Sequence, residues 1–221
     1  MKLEQIASGL HRWTAPHPDW KPEDGGPEGW ERDVACLAWE AADRLVLIDP
    51  LVPSDGTEAQ EVWTEIDALA SAFKQPVVIV LTVYWHERSA GYALERYAQS
   101  VGAEVWAPRG SVDKLQSPVK ETFAPGDELP GGIEALAADG DEEVVLWLPQ
   151  VRALVAADVL LGTGDGVRLC PRSWLDGDTE LEDVRRALLT LLDLPVELLL
   201  VSHGPPVHAE GRAALERALA A

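Results

Sequence analysis

Apolar positions along this chain fall into two patterns that alternate with one another. Continuous aliphatic runs, Val77-Val78-Ile79-Val80, Val144-Val145-Leu146-Trp147-Leu148 and Leu198-Leu199-Leu200-Val201, predict strands buried on both faces. Spacings of three and four, as in Val62, Ile66, Leu69 and Phe73, predict helices with one apolar stripe. In chain order the pattern predicts a strand over 6–13 and a hairpin of 34–40 with 44–48. A helix over 57–73 follows, with Thr57 as N-cap and Gln60 completing a capping box, then a strand over 77–81, a helix over 90–101 and a strand over 104–107. Beyond these come a helical turn over 111–115, short strands over 133–137, 144–148 and 153–156, a helix over 179–192, a strand over 198–201 and a helix over 209–219. The order predicts two sheets packed face to face with helices on both outer faces, in one domain spanning 1–221.

Punctuation between these elements is equally informative. Residues 15–31 carry Pro, Gly, Asp, Trp20 and Trp30 without periodicity, so they form a loop whose indoles either pin it to the core or line a cleft. The run Gly162, Gly164 and Gly166 reads as a loop, and it lacks the GK[ST] ending of a phosphate-binding loop. Asp139 and Asp141 read as turn residues, and Asp49 as a turn or helix-capping residue after a strand. The stretch Thr82-Val83-Tyr84-Trp85-His86-Glu87-Arg88-Ser89 stands apart, because it joins a buried strand to a helix and is packed with groups able to do chemistry. In α/β folds, ligands gather at the carboxyl ends of such strands.

Composition narrows the function classes. Formal net charge is -20 over 221 residues, which opposes binding to nucleic acid or to anionic membrane surfaces. No run approaches the roughly 20 apolar residues of a membrane span, and the first residues lack the layout of a signal peptide, so a cytoplasmic location is expected. Cys36 and Cys170 lie far apart without CxxC spacing and read as buried thiols. His11, His17 and His208 have no partner pattern and read as surface groups. Nine tryptophans are many for this length, and they allow a homodimer that buries them.

Four segments together carry a family resemblance. They are the strand ending Leu47-Ile48-Asp49, the stretch from Leu81 to Ser89, Ala156-Ala157-Asp158 after 144–148, and Ser202-His203-Gly204 near the end. In these the chain resembles the metallo-β-lactamase-fold hydrolase superfamily over nearly its whole length. The resemblance implies a four-layer αββα sandwich with metal ligands on loops at one edge of the sheets, and hydrolysis of small molecules. Set against the family motif Thr-His-x-His-x-Asp-His, Thr82 matches, Val83 and Trp85 replace two histidines, Glu87 replaces the aspartate and Arg88 the last histidine. Asp158 and His203 match the bridging aspartate and the final histidine, whereas residues 138–142 offer carboxylates where a further histidine is usual. Valine and tryptophan offer no ligand nitrogen, so a three-imidazole zinc site is lost.

Two expectations about cofactors follow. In one, the chain is a divergent member with a degenerate site that holds no metal and no longer performs metal-dependent hydrolysis; Arg88 pairs with Asp158 or Glu87 in the metal's place, and the old cleft serves a small-molecule ligand. In the other, Glu87, Asp158 and His203 hold one divalent ion, zinc, manganese or iron, and support hydrolysis. In either case Tyr84, Trp85 and Arg88 line the pocket. On the motif register His86 points away from the metal cluster, yet its ordinary pKa makes it the natural acid or base if the pocket is catalytic. A non-catalytic interaction protein is the third possibility.

Overall fold

The computed structural model describes the chain except Met1, Pro27, Ser54, Asp176 and Asp178, together with the side chain of Asp139, which places that expected turn residue outside the described side chains. Strands β1 (Glu4–Ala7) and β2 (Leu10–Pro16) form a hairpin where the pattern predicts a single strand. Gly9 makes the reversal with φ of 73°, and a Cβ there would sit 3.2 Å from the Glu40 carbonyl oxygen. Strands β3 (Asp33–Glu40) and β4 (Leu45–Ile48) form the second hairpin. Helix α1 (Thr57–Ala70), β5 (Val77–Val80), α2 (Ala90–Tyr97), β6 (Ala103–Pro108) and β7 (Val119–Phe123) complete a seven-stranded sheet in sequential order, parallel from β4 onward. Gly56, not Thr57, is the N-cap of α1, and no side chain caps it.

Five further strands build the second sheet in the order β14-β11-β10-β9-β8. They are β8 (Glu128–Leu129), β9 (Ile133–Asp139), β10 (Glu143–Leu148), β11 (Ala153–Val155) and, after the hairpin β12 (Leu160–Thr163) and β13 (Gly166–Leu169) and helix α3 (Leu181–Leu189), β14 (Leu198–Leu200). Helix α4 (Gly211–Ala220) closes the chain. The continuous apolar runs are explained by layering. Val46, Ile48, Val78 and Val80 face Val144, Leu146, Leu148, Val155 and Leu200 between the sheets. Their sequence neighbours Leu45, Leu47, Val77 and Ile79 pack outward on Val62, Ile66 and Ala93 of α1 and α2. On the other side Val145, Leu154 and Leu199 pack on Val184, Leu188 and Leu215 of α3 and α4. The result is a four-layer αββα sandwich in which each central strand is buried on both faces.

Two backbone hydrogen bonds tie the sheets together at one edge, Val144 N–H to the Thr82 carbonyl at 3.0 Å and Ala35 N–H to the Ser202 carbonyl at 2.8 Å, and a third, Gly162 N–H to the His203 carbonyl at 2.8 Å, ties the β12–β13 hairpin to the segment after β14. The last requires two glycines. A Cβ at Gly162 would lie 2.1 Å from Pro205 O, and one at Gly204 would lie 2.4 Å from Gly162 O. The glycine run expected to be a loop is thus a hairpin pressed against the His203 segment. Cys36 and Cys170 are both buried, and no disulfide joins them. Among the described residues no helix is long and apolar enough to cross a membrane. Truncating Leu146, fully buried between the sheets, to alanine should lower unfolding free energy by about 2–5 kcal/mol; a urea midpoint matching wild type would contradict this packing.

Candidate functional site

The edge where the sheets are tied together is built on unusual backbone. Asp49, Arg88 and Ala157 hold left-handed conformations with φ of 47°, 41° and 43°, and all three bracket one cleft. Such residues cost on the order of 1–3 kcal/mol each and persist only where the surroundings over-determine them. Ser89 supplies part of that constraint. Its N–H bonds the Pro50 carbonyl at 2.9 Å, and its hydroxyl accepts from Val52 N–H at 2.9 Å and donates to Val52 O at 3.1 Å. Glu143 Oε1 accepts the N–H groups of Asp158 and Val159 at 2.8 and 3.1 Å, which fixes the loop after β11.

A continuous polar chain runs through the floor of this cleft. Asp49 Oδ1 accepts Thr82 N–H at 2.8 Å, while Oδ2 accepts the Thr82 hydroxyl at 2.6 Å and lies 2.9 Å from His86 Nδ1. His86 Nε2 lies 3.2 Å from Asp158 Oδ2, which also accepts the Trp85 indole N–H at 2.7 Å. His203 Nε2 stands 3.3 Å from Asp158 Oδ1. All of these but Trp85 are buried. Among the described residues, Asp158 Oδ1 and His203 Nδ1 have no hydrogen-bond partner. One ligand atom each from His86, Asp158 and His203 lies within 4.8 Å of the others, a spacing that can accommodate a metal ion.

Opposing electrostatic effects decide the charge states here. Burial is the largest influence on His86 and pulls its pKa down, as does Arg88, but Asp158 and Asp49 outweigh them and push it up to about 9. Burial likewise opposes ionisation of Asp158, and His86 with His203 reverse that, holding it well below the usual carboxylate range. For Glu143 the balance falls the other way: burial and then the Asp158 charge outweigh its backbone hydrogen bonds and the His86 charge and raise it to about 8. His17 is lowered, first by burial and then by Arg88. A cavity of about 690 Å³ opens over the floor, walled by Trp30, Tyr84, Trp85, Trp174, Arg88 and His17 among others.

The structure brings together Asp158 and His203 as expected from the motif, and it corrects three other positions. His86 points into the cluster, because residues 84–86 form a 3-10 turn that rotates the loop relative to an extended register. Glu87 leaves the site: its carboxylate accepts Gln116 N–H at 3.0 Å and Ser117 N–H at 2.5 Å, so it does not join Asp158 and His203. Arg88 pairs with neither Asp158 nor Glu87; its Nη1 donates to the carbonyls of Ala35 and Asp49 at 3.3 and 3.2 Å. Tyr84, Trp85 and Arg88 do line the cavity. Asp49 is a buried floor residue, not a simple turn former, and His17 is a wall residue with restricted exposure, not a free surface group. Glu143, Trp174 and His17 come from segments remote in sequence; only the tryptophans set in polar loops hint at a wall.

The sequence matches no family model and no curated protein. Solved structures resemble this one closely in shape. A metallo-β-lactamase from Pontibacter korlensis superposes with TM-score 0.65 at 20% identity, covering 99% of this chain and 98% of that one. A metallo-β-lactamase family protein from Thermus thermophilus gives 0.65 at 19%, covering 98% and 80%. The metallo-β-lactamase FIM-1 from Pseudomonas aeruginosa, in a mono-zinc form, gives 0.66 at 15%, covering 99% and 94%. The chain therefore has the metallo-β-lactamase fold across nearly all of its length.

The His86 ion pairs carry a testable sign. Raised to about 9 in the folded protein against roughly 6.5 unfolded, His86 contributes stability that is complete below its unfolded pKa and lost as pH rises through the folded one. In the presence of chelator the protein should therefore need less urea to unfold at pH 10 than at pH 7, and Asp49→Asn should shrink that difference. An Asp49→Asn variant with the full wild-type pH dependence would refute the assignment.

Proposed function

We propose that the cleft is a mononuclear metal centre in which His86, Asp158 and His203 hold one divalent cation, and that it hydrolyses a small molecule. The observation that carries this reading is the 2.9 Å contact of His86 Nδ1 with Asp49. A carboxylate accepting the Nδ1 proton leaves the Nε2 lone pair directed at Asp158, the arrangement by which buried carboxylates orient metal-binding imidazoles. The donor set fits: two imidazoles and a carboxylate suit zinc, manganese or iron, and Asp158 Oδ1 is buried without a hydrogen-bond partner among the described residues. A metal in such a site lowers the pKa of a bound water towards neutrality and polarises a carbonyl or phosphoryl oxygen.

The protein's own residues do the rest. Asp49 and Thr82 hold His86 in one orientation. Trp85 fixes Asp158 through Oδ2, which leaves Oδ1 available. Val83, fully buried, and Trp85 occupy motif positions that would otherwise supply imidazoles, so the chemistry rests on a single ion. The mono-zinc form of FIM-1 supports a one-ion site in this fold.

A second reading has its own observation. His86 Nε2 and Trp85 Nε1 both contact Asp158 Oδ2 directly, and a protonated His86 would serve there as the cation, leaving a metal-free binding cleft. Elemental analysis separates the two. Protein reconstituted with zinc and desalted should retain about one equivalent; His86→Ala and His203→Ala should each lose at least 90% of it, and Glu87→Ala should keep it. Retention below a tenth of an equivalent with zinc, manganese and iron alike, in folded wild-type protein, would rule out the metal centre.

A further inference from the structure

We infer that the cleft recognises a flat aromatic ring system carried by the substrate. The inference deepens the metal-centre reading by naming what the cleft accepts, and its binding test is independent of whether a metal is present. Four aromatic side chains from three separate segments converge on the cavity: Trp30, Tyr84, Trp85 and Trp174. Completing a core does not account for them. Trp13, Trp39, Trp63 and Trp147 do that and are 1–6% exposed, whereas Trp85 remains 42% exposed beside an open volume of about 690 Å³. That volume is in the range of cavities that enclose small-molecule ligands.

The aromatic wall is also held in place before any ligand arrives. Trp85 Nε1 bonds Asp158 Oδ2 at 2.7 Å, and Trp174 Nε1 bonds the Glu28 carbonyl at 3.2 Å, clasping the 172–174 turn to the loop that carries Trp30. Trp20 Nε1 donates to the Trp30 carbonyl at 3.1 Å and holds that loop from within. The rings meet at steep angles: 82° between Tyr84 and Trp85, 63° between Trp30 and His203, and 81° between Trp174 and His203. Rings set at 63–82° to their neighbours offer a planar guest both stacked and edge-to-face contacts, the two arrangements that aromatic pairs prefer. A puckered ring of equal size can bury similar area but forms neither contact well. Indoles already fixed by their N–H groups lose little side-chain freedom on binding, so most of the contact energy is retained.

The probes are 2-naphthol and decahydro-2-naphthol, which share a carbon skeleton and differ in planarity. Calorimetric titration of the wild-type protein, with chelator and again with zinc, should show 2-naphthol binding about tenfold tighter. Trp174→Leu, which keeps an apolar side chain, should bring the ratio near one, while Tyr92→Leu, an exposed aromatic outside the cleft, should leave it unchanged. Equal affinities in the wild type, or a full preference surviving in Trp174→Leu, would overturn the inference. The hydrolytic reading is tested separately with 2-naphthyl acetate: water adds to the acetyl carbon, the acyl–oxygen bond breaks, one of water's protons ends on the leaving oxygen to give 2-naphthol, and the other passes to solvent to leave acetate. Tenfold preferential binding without turnover upholds the aromatic recognition and sinks only the hydrolysis. Turnover of 2-naphthyl acetate and its saturated analogue at equal kcat/KM sinks the recognition and spares the hydrolysis.

Discussion

The Asp49 carboxylate accepts Thr82 N–H and the Thr82 hydroxyl and lies against His86 Nδ1, so one buried group joins the end of β4 to the turn that follows β5. A carboxylate taken out of water without partners is strongly unfavourable, and here each oxygen has at least one donor. The same residue offers its main-chain carbonyl to Arg88, which explains how two left-handed residues, Asp49 and Arg88, are held in place together. From this anchor the rest of the cleft follows in sequence. Thr82, through its carbonyl, receives Val144 N–H and fixes the second sheet against the first. His86 carries the constraint on to Asp158, and Glu143 holds Asp158 from the other side.

Layering is legible in the sequence because it depends on a local property. A strand covered on both faces needs apolar residues at every position, and Val77–Val80 and Val144–Leu148 satisfy that without reference to the rest of the chain. Strand β7 is not legible because only Phe123 within it is buried, which leaves no alternation to detect. The β12–β13 hairpin is hidden by glycines whose purpose is close backbone packing against 203–205, a reason that exists only once the chain is folded. In the site, Asp158 and His203 can be found because each stands three residues beyond a buried strand, in a segment that resembles the family motif. His86 and Glu87 exchange places because a motif register presumes an extended loop, whereas a 3-10 turn moves the next side chain by a third of a turn.

Charge explains why this floor can serve a cation although three family histidines are absent. Asp49, Asp158 and Glu143 gather in a buried region whose permanently charged neighbour is Arg88, and Arg88 is directed at carbonyls instead of carboxylates. Burial and then the Asp158 charge raise Glu143, while Asp158 and Asp49 outweigh burial and raise His86. In the metal-centre reading a proton and a metal ion compete for His86 Nε2. The two occupants exclude each other, which makes metal affinity in such a site dependent on pH. The substitutions at 83 and 85 thus remove one set of ligands without removing the electrostatic demand that ligands answer.

Floor and wall are built by different means, and that difference bears on how activity is distributed in the fold. Floor residues sit at the ends of fully buried strands and are positioned by hydrogen bonds between charged groups, so a change there alters which ion or proton the cleft holds. Wall residues come from the 17–30 loop and the 84–86 and 172–174 turns, and are positioned by single indole N–H bonds to carbonyls and to Asp158. Loops on a rigid scaffold are where binding preferences vary most readily. A fold shared with lactamases therefore says little about the molecule bound; in the reading proposed above the wall sets that, and Trp85 belongs to both wall and floor. Its N–H fixes the carboxylate of the floor while its ring faces the cavity, so the choice of ligand and the poise of the acid cluster are coupled through a single side chain.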